Sequence, residues 1–459
     1  MPPLSPLSSG RRVSCDALVV RQGLTYHASA PGGWVNDPNG LVHAGGAYRL
    51  FAQHSSSAED RSISWCRWSS SDLLQWHFDG PVISADGDRW MYSGSVLTEG
   101  DDLLAFHTIH RAGLEDQVVR SSRDAGRSWT EGERLTGLGP AARNRRDPFV
   151  FRDAEGWALL LAEPCDWSDW PEQSPSRLLL YRSRDGRDWR EAGSIGPWRP
   201  RGVMWEVPVL AKVGGHDVLF ISEVDRRADL TSCSVRAWIG RLGSNGFALA
   251  PHAPLKGQLV DLGPDFYAMV GSGVSARPGG QQLFVGWASS WKNARTRRWP
   301  GFYGGPVSLP RTIRIDDAGG APMVMVQPAP AIIERFTEEA GTQPVAGLGR
   351  LKWQGDRINI RVSNGSGSAE IELRRKGFFA ARRNGAPPMQ WQAAASALFA
   401  EVSEVLLFMD GPLIELFVGG VSLVMALEEE GVLSIACTAD DVPVTIRWSC
   451  MAPPEQCTG

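Results

Sequence analysis

The apolar positions of this chain fall in short runs, each entered through a turn-rich pair of residues, rather than at the 3.6-residue spacing of helices. Five such runs recur: "GGAYRLFAQ" from Gly45, "DDLLAFHT" from Asp101, "EGWALLLAE" from Glu155, "GHDVLFISE" from Gly215 and "GGQQLFVGW" from Gly279. Their strands begin near Ala47, Leu103, Trp157, Asp217 and Gln282, a period of about 54–65 residues, which is the span of a four-stranded propeller blade with generous loops. A second series interleaves with the first: "SSDLLQW" at Ser70, "SRDAGRSW" at Ser122 and "SRDGRDW" at Ser183. Each is an Asp-initiated turn followed by a Trp that can pack between sheets, so it reads as structural. The one helix the pattern predicts is short, near Gln390 to Phe399.

Beyond Arg311 the pattern changes. "IRIDDAGGAPMVMVQPAPAIIERF" mixes Gly, Pro and apolar residues as a linker would. "INIRVS", "AEIELRR" and "VPVTIRW" then alternate with period two around the hairpin "LLFMDGPLIELFVGG", as an antiparallel sandwich requires. The predicted fold class is therefore all-β, a five-bladed propeller followed by a C-terminal β-sandwich. Its expected divisions are an N-terminal extension (1–25), a catalytic propeller (26–315), a linker (316–335), the sandwich (336–452) and a tail (453–459). Glu415 is expected to be a sandwich residue, and the second domain structural.

Composition removes several functions. A net charge of −4 offers no electrostatic footprint for nucleic acid or anionic lipid, and no apolar run approaches membrane-spanning length. Seven cysteines without a CxxC pair argue against a disulfide framework or zinc knuckle, and eight histidines include no HExxH. Neither a metal nor a cofactor is expected. The start "MPPLSPLSSGRRVSCDALVV" has no apolar core behind a basic segment, so the expected location is cytoplasmic.

The chemistry sits at one place in the repeat. "GGWVNDPNGL" from Gly32 could be an ordinary tight turn, since Asp, Pro, Asn and Gly are turn residues. Ten or eleven residues before each repeated strand, however, stand Asp37, Ser93, Asp147, Glu206 and Gly271. Innermost strands of propeller blades line one channel, so these positions converge. Three carboxylates focused there repel one another and lose hydration, which packing does not reward and catalysis does. With no metal and no activated Ser or Cys, such acids point to glycosidic bond cleavage, one protonating the leaving oxygen and another attacking or activating water. Nineteen tryptophans offer flat apolar faces for a sugar; Trp34, Trp65, Trp205 and Trp291 are the pocket candidates, and the expected partner is a small carbohydrate.

The ordered set "WVNDPNG", "YSGS", "RDP", "WEVP", "DFYA" and "GWASSW…LPR" resembles glycoside hydrolase family 32, the β-fructosidases, over about residues 26–315 and more weakly to about 450. The resemblance implies a retaining mechanism with Asp37 as nucleophile, Glu206 as acid/base and Asp147, beside Arg146, holding the fructose hydroxyls. It places Asn36, Gln53, Trp65, Tyr92, Ser93 and Trp291 at the fructose subsite. Arg146 is expected to keep Asp147 charged. The chain departs from the family where Val35 replaces Met, Val207 replaces a Cys, and "AQHSSS" and "LAFHTIH" replace the usual segments on the leaving-group side. Fructosyl transfer, sucrose 6-phosphate hydrolysis with Arg295, Arg297 and Arg298 at the phosphate, an arabinanase-like inverting enzyme and a non-catalytic sugar-binding propeller remain alternatives. The sequence does not encode an oligomeric state.

Overall fold

The structure, a computed structural model, describes residues 24–452 except 61, 165–174, 226–231, 273–281, 295–297, 318–319, 354, 365–366, 375–377, 384–388, 393–403, 428–432 and 441. Five four-stranded antiparallel units form five blades, from consecutive strands in the first four and with two strands intervening between the second and third in the fifth. Their innermost strands are Trp34–Ala44, Trp90–Glu99, Arg146–Asp153, Val203–Val213 and Tyr267–Gly271, and their second strands are Ala47–Ser55, Asp102–Arg111, Gly156–Glu163, His216–Asp225 and Phe284–Trp287. Innermost strands pack against neighbouring blades on both faces. Accordingly Trp34–Val42 is buried without interruption. The outer strand His77–Ile83 shows the alternating exposure of a sheet with one wet face.

The Asp-turn repeats have the structural role their sequence gives them. In the second blade Asp124 Oδ1 accepts from the backbone N–H groups of Arg127 (3.0 Å) and Ser128 (2.9 Å), while Ser122 Oγ accepts from Gly126 N (2.9 Å). Asp185 and Ser183 repeat the arrangement in the third blade. Trp129, at the end of the first of these turns, meets Phe51 of the first blade edge-on at 5.7 Å and so joins the two sheets. The ring closes through an excursion of the fifth blade. Phe302–Gly304 pairs in parallel with Trp34 and Val35 of the first. Gly304 has φ 83°, and a Cβ there would lie 2.0 Å from the Val35 carbonyl oxygen, so the closure requires glycine.

Two six-stranded sheets form the sandwich. Its core lies between Ile358, Ile360 and Val362 of one sheet and Leu407, Met409, Ile414 and Leu416 of the other. The alternate residues of this second sheet, Phe408, Leu413, Phe417 and Val424, join the propeller core instead. That sheet is buried on both faces, which is why its hairpin reads as an almost unbroken apolar run. Among the described residues no helix is long and apolar enough to cross a membrane.

Two expectations need correction. Residues assigned to a linker (316–335) include Met323–Pro328, the outermost strand of the fifth blade, and the short helix Pro330–Ile333; the Gly and Pro that imitate a linker belong to the turns around them. The helix predicted near Gln390 begins instead as the strand Met389–Gln392, and residues 393–399 lie outside the described set. The described part of the chain begins at residue 24, and Asp410 accepts from the backbone N–H groups of Thr25 (2.7 Å), Tyr26 (2.9 Å) and His27 (3.1 Å).

Propeller and sandwich meet on a buried ionic network. Arg311, 0% exposed, reaches Asp261 Oδ2 at 3.0 Å and Glu415 Oε2 at 2.8 Å. Glu415 Oε1 lies 3.1 Å from His27 Nε2, and His27 Nδ1 lies 2.9 Å from Asp410 Oδ2. Burial opposes a charged imidazole, but hydrogen bonds to Asp410 and Glu415 outweigh it and hold His27 at about 9. A histidine raised in this way contributes stability that is fully present below the unfolded value near 6.5 and lost as pH rises through 9. At 1.36 kcal/mol per unit the effect approaches ~3 kcal/mol. Thermal unfolding from pH 6.5 to 9.5 should therefore show a falling Tm that is flattened in His27→Gln; an equally steep fall in the variant would exclude this origin.

Candidate active site

Each innermost strand carries an extra residue at the same height, and the first carries a second one between Pro38 and Gly40. The pairing with the second strand slips between Val35 and Pro38, Met91 and Gly94, Arg146 and Phe149, Glu206 and Val209, and Tyr267 and Val270. Such bulges turn a strand and re-aim its side chains. They also explain the prolines: Pro38, Pro148 and Pro208 stand where no ladder N–H is required. The "DPNG" stretch is thus a bulged strand, not a tight turn. Asp147, Val207 and Ala268 adopt φ of 61°, 46° and 49°, so three adjacent blades turn through the left-handed region at this level. Counted from the bulge, the fifth blade contributes Tyr267, not Gly271. Gly271 lines a separate, smaller cavity of about 220 Å³.

The bulges surround a cavity of about 670 Å³ lined by Asp37, Asp147 and Glu206. Ser93 Oγ donates to Asp37 Oδ2 at 2.9 Å, and Asn36 Nδ2 donates to Asp37 Oδ1 at 3.3 Å. Burial, then the charge of Glu206, nevertheless lift the Asp37 carboxyl to about 6. Tyr267 donates its hydroxyl to Glu206 Oε2 at 2.6 Å, and burial keeps that phenol protonated by raising it well above its ordinary value. Arg146 lies 3.1 Å from Glu206 Oε1 and 2.9 Å from Glu115 Oε1, so one guanidinium is shared by two carboxylates. Asp147 accepts from Val207 N at 3.0 Å, and its own N–H donates to Thr108 Oγ1 at 3.0 Å. Burial and Glu206 push the Asp147 carboxyl well above its usual range. Arg146 acts in the opposite direction, as expected, and is outweighed.

Trp34, Asn36, Gln53, Tyr92, Ser93, Arg146 and Trp291 line this cavity together with the three acids. Trp34 and Trp291 stack at 6.5 Å and 16°, and the Trp34 indole donates to Asn36 Oδ1 at 3.2 Å. Asn36 in turn donates to Gln53 Oε1. Trp65 and Trp205 do not reach the cavity; both are 0% exposed. The Trp65 indole donates to the Tyr92 carbonyl at 3.1 Å from within the core between the first two blades. Trp205 donates to Glu223 Oε1 at 3.0 Å and packs on Trp238. The reason is strand alternation: Trp205 and Glu206 are adjacent, so when Glu206 faces the channel Trp205 faces the blade interior.

One lining residue, Glu115, and two residues that support the lining, Tyr267 and Asp265, escaped the sequence reading. Glu115 comes from the third strand of the second blade, where nothing in the alternation distinguishes it. Tyr267 lay within the quoted "DFYA", but counting back from the repeated strand pointed past it. Asp265 of the same motif is fully buried and accepts from Asn293 Nδ2 and Ala426 N, both at 3.0 Å, tying the Trp291 loop to the sandwich.

Residues 27–328 match the model of the glycosyl hydrolases family 32 N-terminal domain. A levanase of Bacillus subtilis is 27% identical over 316 residues, covering 63% of this chain and 44% of that protein. A sucrose-6-phosphate hydrolase of Zymomonas mobilis is 28% identical over 319 residues, covering 64% and 60%. The chain thus spans less than two thirds of the length of these relatives. A GH32 β-fructofuranosidase of Bombyx mori shares the fold, with a TM-score of 0.75 at 21% identity over 94% of each chain.

The raised Asp37 carboxyl has a consequence for stability. A carboxyl that binds its proton more tightly when folded lowers stability as pH rises from the unfolded value near 4 through about 6, and the full penalty stands at pH 7. Asp37→Asn should therefore raise stability at pH 7 by up to ~3 kcal/mol, an increment that vanishes near pH 4. Urea unfolding of the two proteins at both pH values tests this; equal midpoints at pH 7 would refute it.

Proposed function

The chain belongs to glycosyl hydrolase family 32, and on that premise we propose that it releases fructose from β-fructofuranosides, sucrose or short fructans, with net retention. The observation that carries this reading is the convergence of Asp37, Asp147 and Glu206, from three blades, on one cavity with stacked indoles on its wall. Asp37 attacks the anomeric carbon as the bond to the leaving oxygen breaks, and Glu206 delivers its proton to that oxygen. Water, deprotonated by Glu206, then attacks the fructosyl–Asp37 ester and frees both fructose and the carboxylate. Ser93 and Asn36 fix the Asp37 carboxylate for attack, and Tyr267 and Arg146 fix Glu206. Asp147, held by Val207 N, takes the sugar hydroxyls.

Because Asp37 attacks only when ionised, kcat/KM should fall as pH drops below about 6. The decisive experiment is a time course with sucrose, a β-2,6 fructan and a β-2,1 fructan, reading glucose, fructose and the anomer first released. Fructose should appear with retained configuration, and Glu206→Gln should lose roughly 10²–10⁴-fold in rate. An inverted first product would replace this mechanism with an arabinanase-like one. Absence of any turnover would leave a sugar-binding propeller.

A further inference from the structure

Resting on the fructosidase reading, we infer that the leaving-group end of the cavity accepts uncharged sugars and rejects phosphorylated ones. The fructosyl unit must reach Asp37 and Glu206 at the bulges, so the leaving group faces the mouth. The mouth is formed in part by the loop between the second and third strands of the first blade, where Glu59 is exposed and Asp60 half-buried. Asp60 is fixed there: its carboxylate accepts from Ser56 Oγ at 2.6 Å and Ser62 N at 2.8 Å, and the Ser56 hydrogen bond leads in holding it below the usual carboxylate range.

The lining then carries six carboxylates, those of Asp37, Glu59, Asp60, Glu115, Asp147 and Glu206. Among the described lining residues the one guanidinium is that of Arg146, already shared between Glu115 and Glu206. Beside the end of that loop, where Met91 N donates to the Ile63 carbonyl at 2.8 Å, the lining is aromatic. His110 stacks on Trp90 at 5.4 Å and 20° and on Tyr92 at 4.7 Å and 17°. Flat faces flanked by carboxylates suit a neutral sugar, which offers C–H faces and hydroxyl donors. A phosphate monoester brings nearly two further negative charges and acceptor oxygens only, and among the described lining residues it meets carboxylates and no guanidinium that is not already shared.

The test compares kcat/KM for sucrose and for sucrose 6-phosphate, whose phosphate lies on the leaving glucose. Sucrose should be favoured by at least about 100-fold. Glu59→Gln/Asp60→Asn should narrow that ratio by about tenfold, and raising salt should narrow it in the unaltered protein, because exposed charges are screened. A preference for the phosphorylated sugar, abolished by Ala at Arg295, Arg297 and Arg298, would overturn the inference while leaving the fructosidase reading intact. So would a ratio that neither the double variant nor salt moves. If neither sugar is cleaved and no fructan is either, the fructosidase reading fails first and this inference with it.

Discussion

Arg311 is a fully buried cation, and the position of one wall of the cavity follows from how its charge is satisfied. A desolvated guanidinium is tolerable only if its charge is paired. Here Asp261 and Glu415 accept from its two terminal nitrogens, its Nε–H meets no acceptor among the described residues, and Phe266 lies under its face at 4.2 Å. Asp261 also accepts from Ser422 Oγ and Val424 N of the sandwich, and Asp265 accepts from Ala426 N two residues along the same strand. The segment 261–266 is thereby pinned to the second domain. Tyr267 follows directly and donates to Glu206. Among the described lining residues none comes from the sandwich, yet the sandwich fixes the strand that supplies one partner of Glu206 and, through Asn293, the loop that carries Trp291.

The cavity works against the stability of the fold that holds it. Asp37 and Asp147 are both raised by burial and by Glu206, so each ionised carboxylate at neutral pH is a strained state relative to solution. A single cation relieves part of this, and its geometry decides which part. Arg146 contacts Glu115 and Glu206 rather than Asp147, so its neighbour in sequence receives only through-space help. Asp147 relies instead on a backbone donor, the Val207 N–H.

Most of the architecture was legible because two periodicities survive in the sequence. The blade period and the Asp-turn repeats place five sheets, and alternation places the sandwich, whose Ile358, Ile360 and Val362 all point inward. The site was legible as far as the spacing between first and second strands held. Two residues join them in the first four blades, but residues 272–283 lie between Gly271 and Phe284 in the fifth, which is why counting back reached Gly271 rather than Tyr267. Tryptophan identity carries no direction, so Trp65 and Trp205 were placed in a pocket when alternation beside Glu206 sends Trp205 the other way. The linker was misread because a blade's outer strand, flanked by Gly and Pro turns, has the composition of a connection.

The bulge also accounts for a departure from the family pattern. Val207 stands where a Cys is usual, and a β-branched residue at φ 46° is strained. Its side chain is buried among the core residues, while its N–H donates to Asp147 at 3.0 Å. The position therefore acts on the acids through its backbone. The left-handed turn is needed to aim that N–H at Asp147, and Pro208 follows it, where the bulge leaves no ladder hydrogen bond to be lost. Glu206, Val207 and Pro208 form one device: the first residue presents the acid, the second turns the chain and donates to the neighbouring blade's carboxylate, and the third returns the strand to its ladder. Exchanging Cys for Val alters the filling of the core behind this device and leaves the donor that faces Asp147 in place.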